Sequence, residues 1–273
     1  MLSEEELQKK WESLTFTDNF IFSHVMHDEN ICRQVVELIL GVRIGKIHYL
    51  SAQDEHKTDP DSMRIIMDVF LRDENRIITV EMQTGHKKEL PRRSRYYQAA
   101  ADIDTTPKGS KYKDLKQNYV IFICTFDPFL KGKPIYKFQN LCLEHDEAIY
   151  LGDGTEKIFL NTTAKDLTNL DGELRLFYDY IKERTAQTDF TKELDATISR
   201  MKQEKEERQM YLTYTSRMME CRQDGYEEGL ERGAYQKALE TAKTMLSLGL
   251  PLDQIQLCTS LPLDAVQELA QTK

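Results

Sequence analysis

The chain has 273 residues, of which 40% are hydrophobic, and it carries a formal net charge of −9. This length and hydrophobic content suffice for one full core with an appendage, and they argue against intrinsic disorder. The negative charge would ordinarily count against nucleic acid as a partner, because phosphate binding needs clustered lysine and arginine.

The distribution of charge changes that expectation. Residues 1–85 carry 9 basic and 16 acidic side chains, residues 138–273 carry 16 and 25, but residues 86–137 carry 12 and 5. This middle segment has a net charge of +7 inside an acidic protein. It is interpreted either as a surface that binds nucleic acid or as helix surfaces solvated by lysine and arginine.

The five cysteines are scattered and form no CxxC pair, which argues against a disulfide framework and a structural zinc site. His145 and Asp146, like His24, His27 and Asp28, lack further matching ligands nearby, so they are interpreted as surface residues. No apolar run reaches the roughly 18 residues of a membrane span, and the N-terminal sequence MLSEEELQKKW is unlike a secretory signal. We therefore expect a cytoplasmic protein that does not enter a membrane.

The first part of the chain is predicted to be mainly helical. Residues 17–40 begin with cap-type residues and continue with apolar side chains at helical spacing, which predicts one or two helices ending at Gly41. A short strand is expected at residues 47–49. Residues 51–62 are polar and are predicted to form a loop.

Residues 63–85, MRIIMDVFLRDENRIITVEMQTG, have the pattern of a β-hairpin, with two apolar runs around a polar turn. If the loop has two residues, the register places Asp68 directly opposite Glu81, and period-two alternation places Gln83 on the same face. With a three-residue loop, Asp68 and Glu81 would lie on opposite faces. The site therefore depends on this register.

After the hairpin, residues 91–104, PRRSRYYQAAADID, are predicted to form a helix that brings several arginines and tyrosines together near its start. The apolar residues 118–126, NYVIFICTF, predict a strand covered on both faces. Short β-prone pieces in residues 134–162 are predicted to be peripheral strands. This order of elements favours the α/β class.

Long polar helix formers dominate beyond about residue 166. We predict a core over residues 1–165, a helical extension over 166–234 and a small helical tail over 235–273, broken at Gly249-Leu250-Pro251 and at Leu261-Pro262. Residues 252–269 have the length of a helix-turn-helix, but the last helix is acidic where a groove-reading helix should be basic. Self-association through these C-terminal helices, giving a homo-oligomer, or packing is therefore favoured over DNA reading.

Two carboxylates opposed in an apolar hairpin repel each other, so some partner should compensate. Side chains at directly paired positions are close enough for Asp68 and Glu81 to reach one Mg²⁺, which favours oxygen ligands and retains several waters. Such an ion can activate water and clamp a phosphate, as phosphodiester hydrolysis requires. The alternative is that both carboxylates lie on a solvated face, each paired with Arg64 or Arg72.

Four segments resemble, in the right order, the Rpn-type recombination-promoting nucleases of the PD-(D/E)xK superfamily, which are often labelled putative transposases. DVFLRDENRIITVEMQ matches the Asp and Glu-x-Gln signature, FTDNFIF the N-terminal acidic motif at Asp18, PRRSRYYQAA the arginine-rich helix with Tyr97, and GSKYKDLKQNYVIFICTF the following core strand. The similarity covers roughly residues 14–165. It implies a restriction-endonuclease-like core, a mixed sheet flanked by helices, with an all-helical C-terminal appendage.

The resemblance also implies roles for individual residues. Asp68 and Glu81 would bind Mg²⁺ or Mn²⁺ with the backbone carbonyl of Met82, and Asp18 would be a supporting acidic residue. The catalytic set would be Asp68, Glu81 and Gln83, although Gln83 replaces the usual lysine and can orient water only by hydrogen bonds. The residues implied to contact the DNA backbone are Arg92, Arg93, Arg95 and Tyr97.

The function implied is a metal-dependent DNA endonuclease. The alternative is an inactive protein that retains the fold and binds DNA or another partner, for which Gln83 and the overall acidity argue. Strand transfer, which the transposase label suggests, needs 3′-end joining that no residue pattern here reveals.

Overall fold

The computed structural model describes residues 4–50, 67–85, 88–144 and 147–271. The loop predicted over residues 51–62 lies outside these ranges. The chain divides into two compact units, residues 1–207 and residues 208–273. The three-part division made from the sequence stays a prediction.

The predicted helical region before the hairpin forms two helices, each preceded by an aspartate cap. Asp18 accepts a hydrogen bond from the Phe20 N–H, and Asp28 accepts from two N–H groups of the next helix, as N-cap residues do. Gly41 ends the region with φ of 70°, a left-handed conformation that favours glycine. These two helices are α2 (Asn19–Val25) and α3 (Glu29–Leu40), and α1 (Glu4–Ser13) precedes them.

A six-stranded mixed sheet forms the centre of the first unit, in the order β1-β2-β3-β4-β8-β5. β3, β4 and β8 are mutually parallel, whereas β1, β2 and β5 pair antiparallel with their neighbours. β6 and β7 form a separate two-stranded ribbon. The strands are β1 (His48–Tyr49), β2 (Val69–Arg72), β3 (Arg76–Gln83), β4 (Gln117–Cys124), β5 (Ile135–Phe138), β6 (Leu141–Cys142), β7 (Ile149–Tyr150) and β8 (Thr155–Asn161).

One strand prediction was wrong. β8 was expected at the periphery, but it lies inside the sheet between β4 and β5. Its sequence, TEKIFLN, contains a short apolar run among polar residues, and no local pattern specifies which strands it pairs with. Parallel pairing is decided by a long-range crossover and not by adjacent sequence.

Helix α4 (Leu90–Thr105) covers one face of the sheet. Its apolar side chains pack on residues of β3, β4 and β8 that point to the same side. On the opposite face of the sheet, Ile121, Ile123 and Leu160 are also fully buried. The prediction that residues 118–126 form a strand covered on both faces is confirmed, and so is the α/β class with a mixed sheet flanked by helices. A short 3-10 turn (Tyr112–Asp114) connects α4 to β4.

The remainder of the chain is helical. The Trp11 indole N–H donates to the Lys202 carbonyl at 3.0 Å, which ties α6 to α1. In the second unit, α8 and α9 pack on the end of α7 through Ala242, Ile255 and Val266, and the predicted breaks at Gly249 and Pro262 are confirmed. No helix in the described ranges is long and apolar enough to cross a membrane. The helices are α5 (Gly172–Glu183), α6 (Asp189–Gln203), α7 (Lys205–Ser247), α8 (Leu252–Thr259) and α9 (Leu263–Gln271).

Candidate functional site

The β2–β3 hairpin has the two-residue loop on which the site depends. The Asp73 N–H donates to the Arg76 carbonyl at 3.0 Å, which leaves Glu74 and Asn75 as the loop. Val69 pairs with Val80, so the preceding residue Asp68 lies opposite Glu81. The predicted register is confirmed, and the alternative with a three-residue loop is excluded.

The side chains of Asp68 and Glu81 each accept a hydrogen bond from the backbone of the opposite strand. The Asp68 N–H donates to Glu81 Oε1 at 2.9 Å, and the Met82 N–H donates to Asp68 Oδ2 at 3.0 Å. Glu81 is only 1% exposed and Asp68 is half-buried, so these carboxylates do not lie on a solvated face. Arg72 pairs with Ile77 at the other end of the hairpin, and Arg64 lies outside the described residues.

The cation that contacts Glu81 comes from α4. Arg93 Nη2 lies 2.5 Å from Glu81 Oε2, its Nη1 donates to Gln83 Oε1 at 2.9 Å, and its Nε donates to the Tyr97 hydroxyl at 2.8 Å. The guanidinium carbon also lies 4.9 Å from the centroid of the Tyr97 ring. One arginine therefore binds three of the predicted site residues.

Sequence reasoning found Arg93 but not this role. The four-residue spacing places Arg93 and Tyr97 on the same face of a helix, which was the available signal. What that face would contact could not be read from spacing. In the structure it faces β3, because α4 follows that strand closely and packs back over it.

The polar groups around Arg93 are held in fixed orientations. The Gln83 amide donates through Nε2 to the Gly85 carbonyl at 3.1 Å while its Oε1 accepts from Arg93. Burial and the neighbouring Glu81 carboxylate raise the pKa of Tyr97 to about 12, although Arg93 acts in the opposite direction. Tyr97 is therefore a neutral phenol across the physiological pH range.

The arrangement of oxygens fits a hard divalent cation. The Met82 N–H donates to Asp68 Oδ2, and because the N–H and carbonyl of one strand residue point to the same edge, the Met82 carbonyl lies on the side of β3 that faces β2. Two carboxylates and one carbonyl match an ion that retains several waters. Within the described ranges, no group of three or more His, Cys, Asp or Glu residues is placed to hold a metal. The fit therefore rests on this smaller donor set.

Not every predicted site residue joins this cluster. Asp18 caps α2, and its charge acts on Lys202, a residue of α6. Arg92 and Arg95 are exposed on α4, whereas Arg93 is half-buried. Elsewhere, the Nδ1 atoms of His24 and His27 lie at hydrogen-bond distance from helix carbonyls, whereas His145 and Asp146 lie outside the described residues.

Comparison with known proteins agrees with the fold. The family model described as PD-(D/E)XK nuclease family transposase matches residues 19–222, well over half of the chain. No curated protein and no solved structure gives a significant match. The matched range includes Asp68, Glu81 and Arg93. The chain belongs to the PD-(D/E)XK nuclease family transposases.

Proposed function

We propose that this chain is a divalent-metal-dependent endonuclease that hydrolyses phosphodiester bonds in DNA. The observation that carries the proposal is the direct opposition of Asp68 and Glu81 in the hairpin. The Glu81 carboxylate accepts a hydrogen bond from the Asp68 N–H, and the Asp68 carboxylate accepts one from the Met82 N–H. Like charges in this position are destabilising unless a cation compensates them. A site that retains this arrangement is organised for a cation.

Asp68, Glu81 and the Met82 carbonyl would hold Mg²⁺ or Mn²⁺. The ion would supply Lewis-acid activation of water and a clamp on the scissile phosphate. Glu81 offers two distinct sides, since Oε1 faces the Asp68 backbone and Oε2 faces Arg93. Glu81 can therefore contribute to a cation site on the Asp68 side while it remains paired with Arg93.

Arg93 would supply the positive charge that Gln83 lacks. A lysine at the position of Gln83 would place a charge near the attacked phosphate, whereas glutamine offers only hydrogen bonds. Arg93 Nη1 contacts the Gln83 side chain, so its charge lies at the same place although it comes from another element. A guanidinium also presents several donors in a planar fork, which suits a phosphate with increasing negative charge.

DNA would be held by the basic middle segment. Arg92 and Arg95 are exposed near the start of α4, within two residues of Arg93. Phosphate contacts from such residues would position the strand without reading its sequence. Binding should therefore weaken steeply as salt concentration rises.

The proposal is tested by plasmid nicking with Mg²⁺ or Mn²⁺ and by Mn²⁺ calorimetry on the wild type and on Asp68→Asn. We expect the substitution to abolish nicking and to weaken Mn²⁺ binding, with far-ultraviolet circular dichroism unchanged. Asp224→Asn, a substitution on the exposed surface of α7 outside the cluster, is the matched control and should nick normally. Equal nicking by wild type and Asp68→Asn would overturn the proposal.

One observation favours a second candidate, a non-catalytic DNA-binding protein. The Arg93 guanidinium already compensates Glu81 at 2.5 Å, which reduces the need for a metal. In that case Mn²⁺ would show no affinity dependent on Asp68 and Glu81, while salt-sensitive DNA binding would persist. Loss of that DNA binding in Arg92→Ala and Arg95→Ala would then identify the surface responsible.

A further inference from the structure

We propose that a groove on the other flank of α4 binds an unpaired nucleotide of the DNA substrate. The groove is a cavity of about 500 Å³, which lies in the volume range of ligand sites. α4 forms one wall through Pro91, Ser94, Arg95 and Gln98. The inference rests on the proposed nuclease function and specifies the substrate, as DNA with a single-stranded, frayed or branched region.

The apolar part of the groove is aromatic. Phe129 lies with its ring centroid 5.0 Å from that of Phe138 and 5.1 Å from that of Phe159. Phe138 is 42% exposed on the edge strand β5, so its ring is available to a ligand. Successive bases of single-stranded nucleic acid stack on side chains of this kind regardless of sequence.

Two cations lie beside these rings. Arg95 is exposed, and among the described residues no carboxylate pairs with it. Lys157 Nζ donates to Gln98 Oε1 at 2.5 Å, and burial lowers the pKa of Lys157. A phosphate at this position would offset that cost of burial. The one acidic residue in the lining, Asp153, accepts hydrogen bonds from the Asn140 amide and from Thr155.

The combination selects one class of occupant. An aromatic surface alone would suit many apolar partners, but aromatic rings beside an unpaired guanidinium match a base with its phosphate. A paired base cannot enter, because its faces are stacked and its edge is bonded within the duplex. The favoured ligand is therefore a nucleotide outside a double helix.

The position of the groove connects it to the candidate site. Arg93 and Arg95 are two residues apart, which on a helix of 3.6 residues per turn separates them by about 200°. Arg93 contacts Glu81, whereas Arg95 lines the groove. The two sites therefore lie on opposite flanks of the first turns of α4, separated by roughly one helix diameter of about 10 Å. A strand whose phosphate lies at Glu81 can place a base a few nucleotides away in the groove.

The test uses a single-stranded oligonucleotide that contains 2-aminopurine, in EDTA so that no cleavage occurs. Stacking should quench the fluorescence with the wild type and with Phe138→Tyr. Phe138→Ala should abolish the quenching and weaken affinity about 5- to 100-fold, as expected from the loss of one stacked base. Arg95→Ala should weaken affinity in a salt-dependent manner. Tyr112→Ala removes another aromatic ring, 92% exposed and outside the groove, and should behave as wild type.

Equal affinity and equal quenching for Phe138→Ala and Tyr112→Ala would overturn the proposal, and so would tighter binding of a duplex than of the single strand. A groove that instead docks a protein would produce the first of these results. The nuclease proposal is tested separately by metal-dependent nicking. Quenching without nicking would support nucleotide binding in the groove and contradict the nuclease proposal. Nicking without quenching would support the nuclease proposal and contradict nucleotide binding in the groove.

Discussion

The β2–β3 hairpin carries a buried carboxylate paired with an arginine at each end. At the turn, Asp73 Oδ2 lies 2.8 Å from Arg76, with the two side chains 2% and 20% exposed. At the open end, Glu81 Oε2 lies 2.5 Å from Arg93, with the two side chains 1% and 29% exposed. By burial and by pairing the two sites are nearly equivalent.

They differ in what else surrounds the carboxylate. Asp73 accepts hydrogen bonds from the N–H groups of Gly45, Asn75 and Arg76, and these bonds lower its pKa although burial acts to raise it. Glu81 faces a second carboxylate, Asp68. Asp73 is therefore satisfied by the protein and stabilises the turn. An opposed acid, more than a buried ion pair, distinguishes a candidate functional site from a structural one.

The largest expected effect is on the nicking rate, and it is measured by comparing substitutions at the two ends of the β2–β3 hairpin. Glu81→Gln should reduce metal-dependent nicking by at least about 1000-fold, because several kcal/mol of metal-derived stabilisation are lost. Asp73→Asn, compared at equal folded concentration, should retain nicking within about 10-fold. The measurement is the rate of supercoiled plasmid loss. Equal loss of activity in both variants would mean that the comparison does not separate function from structure.

The second effect concerns stability. Asp73→Ala should lower the free energy of unfolding of the first unit by about 3–5 kcal/mol, since it leaves Arg76 without its partner. Urea denaturation followed by circular dichroism measures this, with Glu74→Ala in the exposed loop as the control.

The pH dependence of the difference in free energy of unfolding between wild type and Asp73→Ala gives a further check. A lowered carboxyl pKa contributes stability above the ordinary carboxyl range, and that contribution is lost as pH falls through the lowered pKa. The gap between wild type and Asp73→Ala should therefore narrow below about pH 4. A gap that is constant from pH 7 to pH 3 would contradict the assigned role of Asp73.

A smaller effect is expected from Arg93. Arg93→Ala should slow nicking roughly 100-fold, comparable to the loss of one preorganised donor to a developing charge. Arg93→Lys should recover part of the rate, because it restores the charge but not the fork that reaches both Glu81 and Gln83. A purely structural role would lower stability in both variants while leaving the rate of the folded protein unchanged. Single-turnover nicking kinetics distinguish these outcomes.

The smallest effect is expected from Tyr97→Phe. Loss of the hydroxyl that accepts from Arg93 should cost about 1 kcal/mol near neutral pH. The raised pKa of about 12 means that Tyr97 contributes stability below pH 10 and loses it as pH rises from about 10 to 12. Between those values the wild type should lose more stability than Tyr97→Phe in chemical denaturation. Identical alkaline profiles would show that Tyr97 does not titrate in this way.

Self-association through the C-terminal helices stays a prediction. Sedimentation of the full chain would test it, since a monomer at micromolar concentration would contradict it. Its outcome does not affect the site, because the described contacts of Asp68, Glu81 and Arg93 that define it lie within the first unit.

The sequence by itself determined the hairpin and its acids. The polar turn around Glu74 and Asn75 predicts the hairpin, and with a two-residue loop period-two alternation places Asp68, Glu81 and Gln83 on one face. The choice between a two-residue and a three-residue loop came from the structure. The helix start near Asp18 and the stop at Gly41 were also readable, since capping depends on residues close in sequence, whereas the cap at Asp28 was not predicted. These features are local, so local patterns suffice to predict them.

Only the tertiary structure decided the contacts between elements. The position of β8 inside the sheet depends on its pairing with β4 and β5. The packing of Arg93 on Gln83 and the placement of Arg95 in a groove with Phe138 depend on how α4 lies over the sheet. The sequence shows that Arg93 and Arg95 lie on different faces of a helix. It does not show which elements each face contacts, because long-range packing is set by the burial of the whole apolar surface and not by any segment alone.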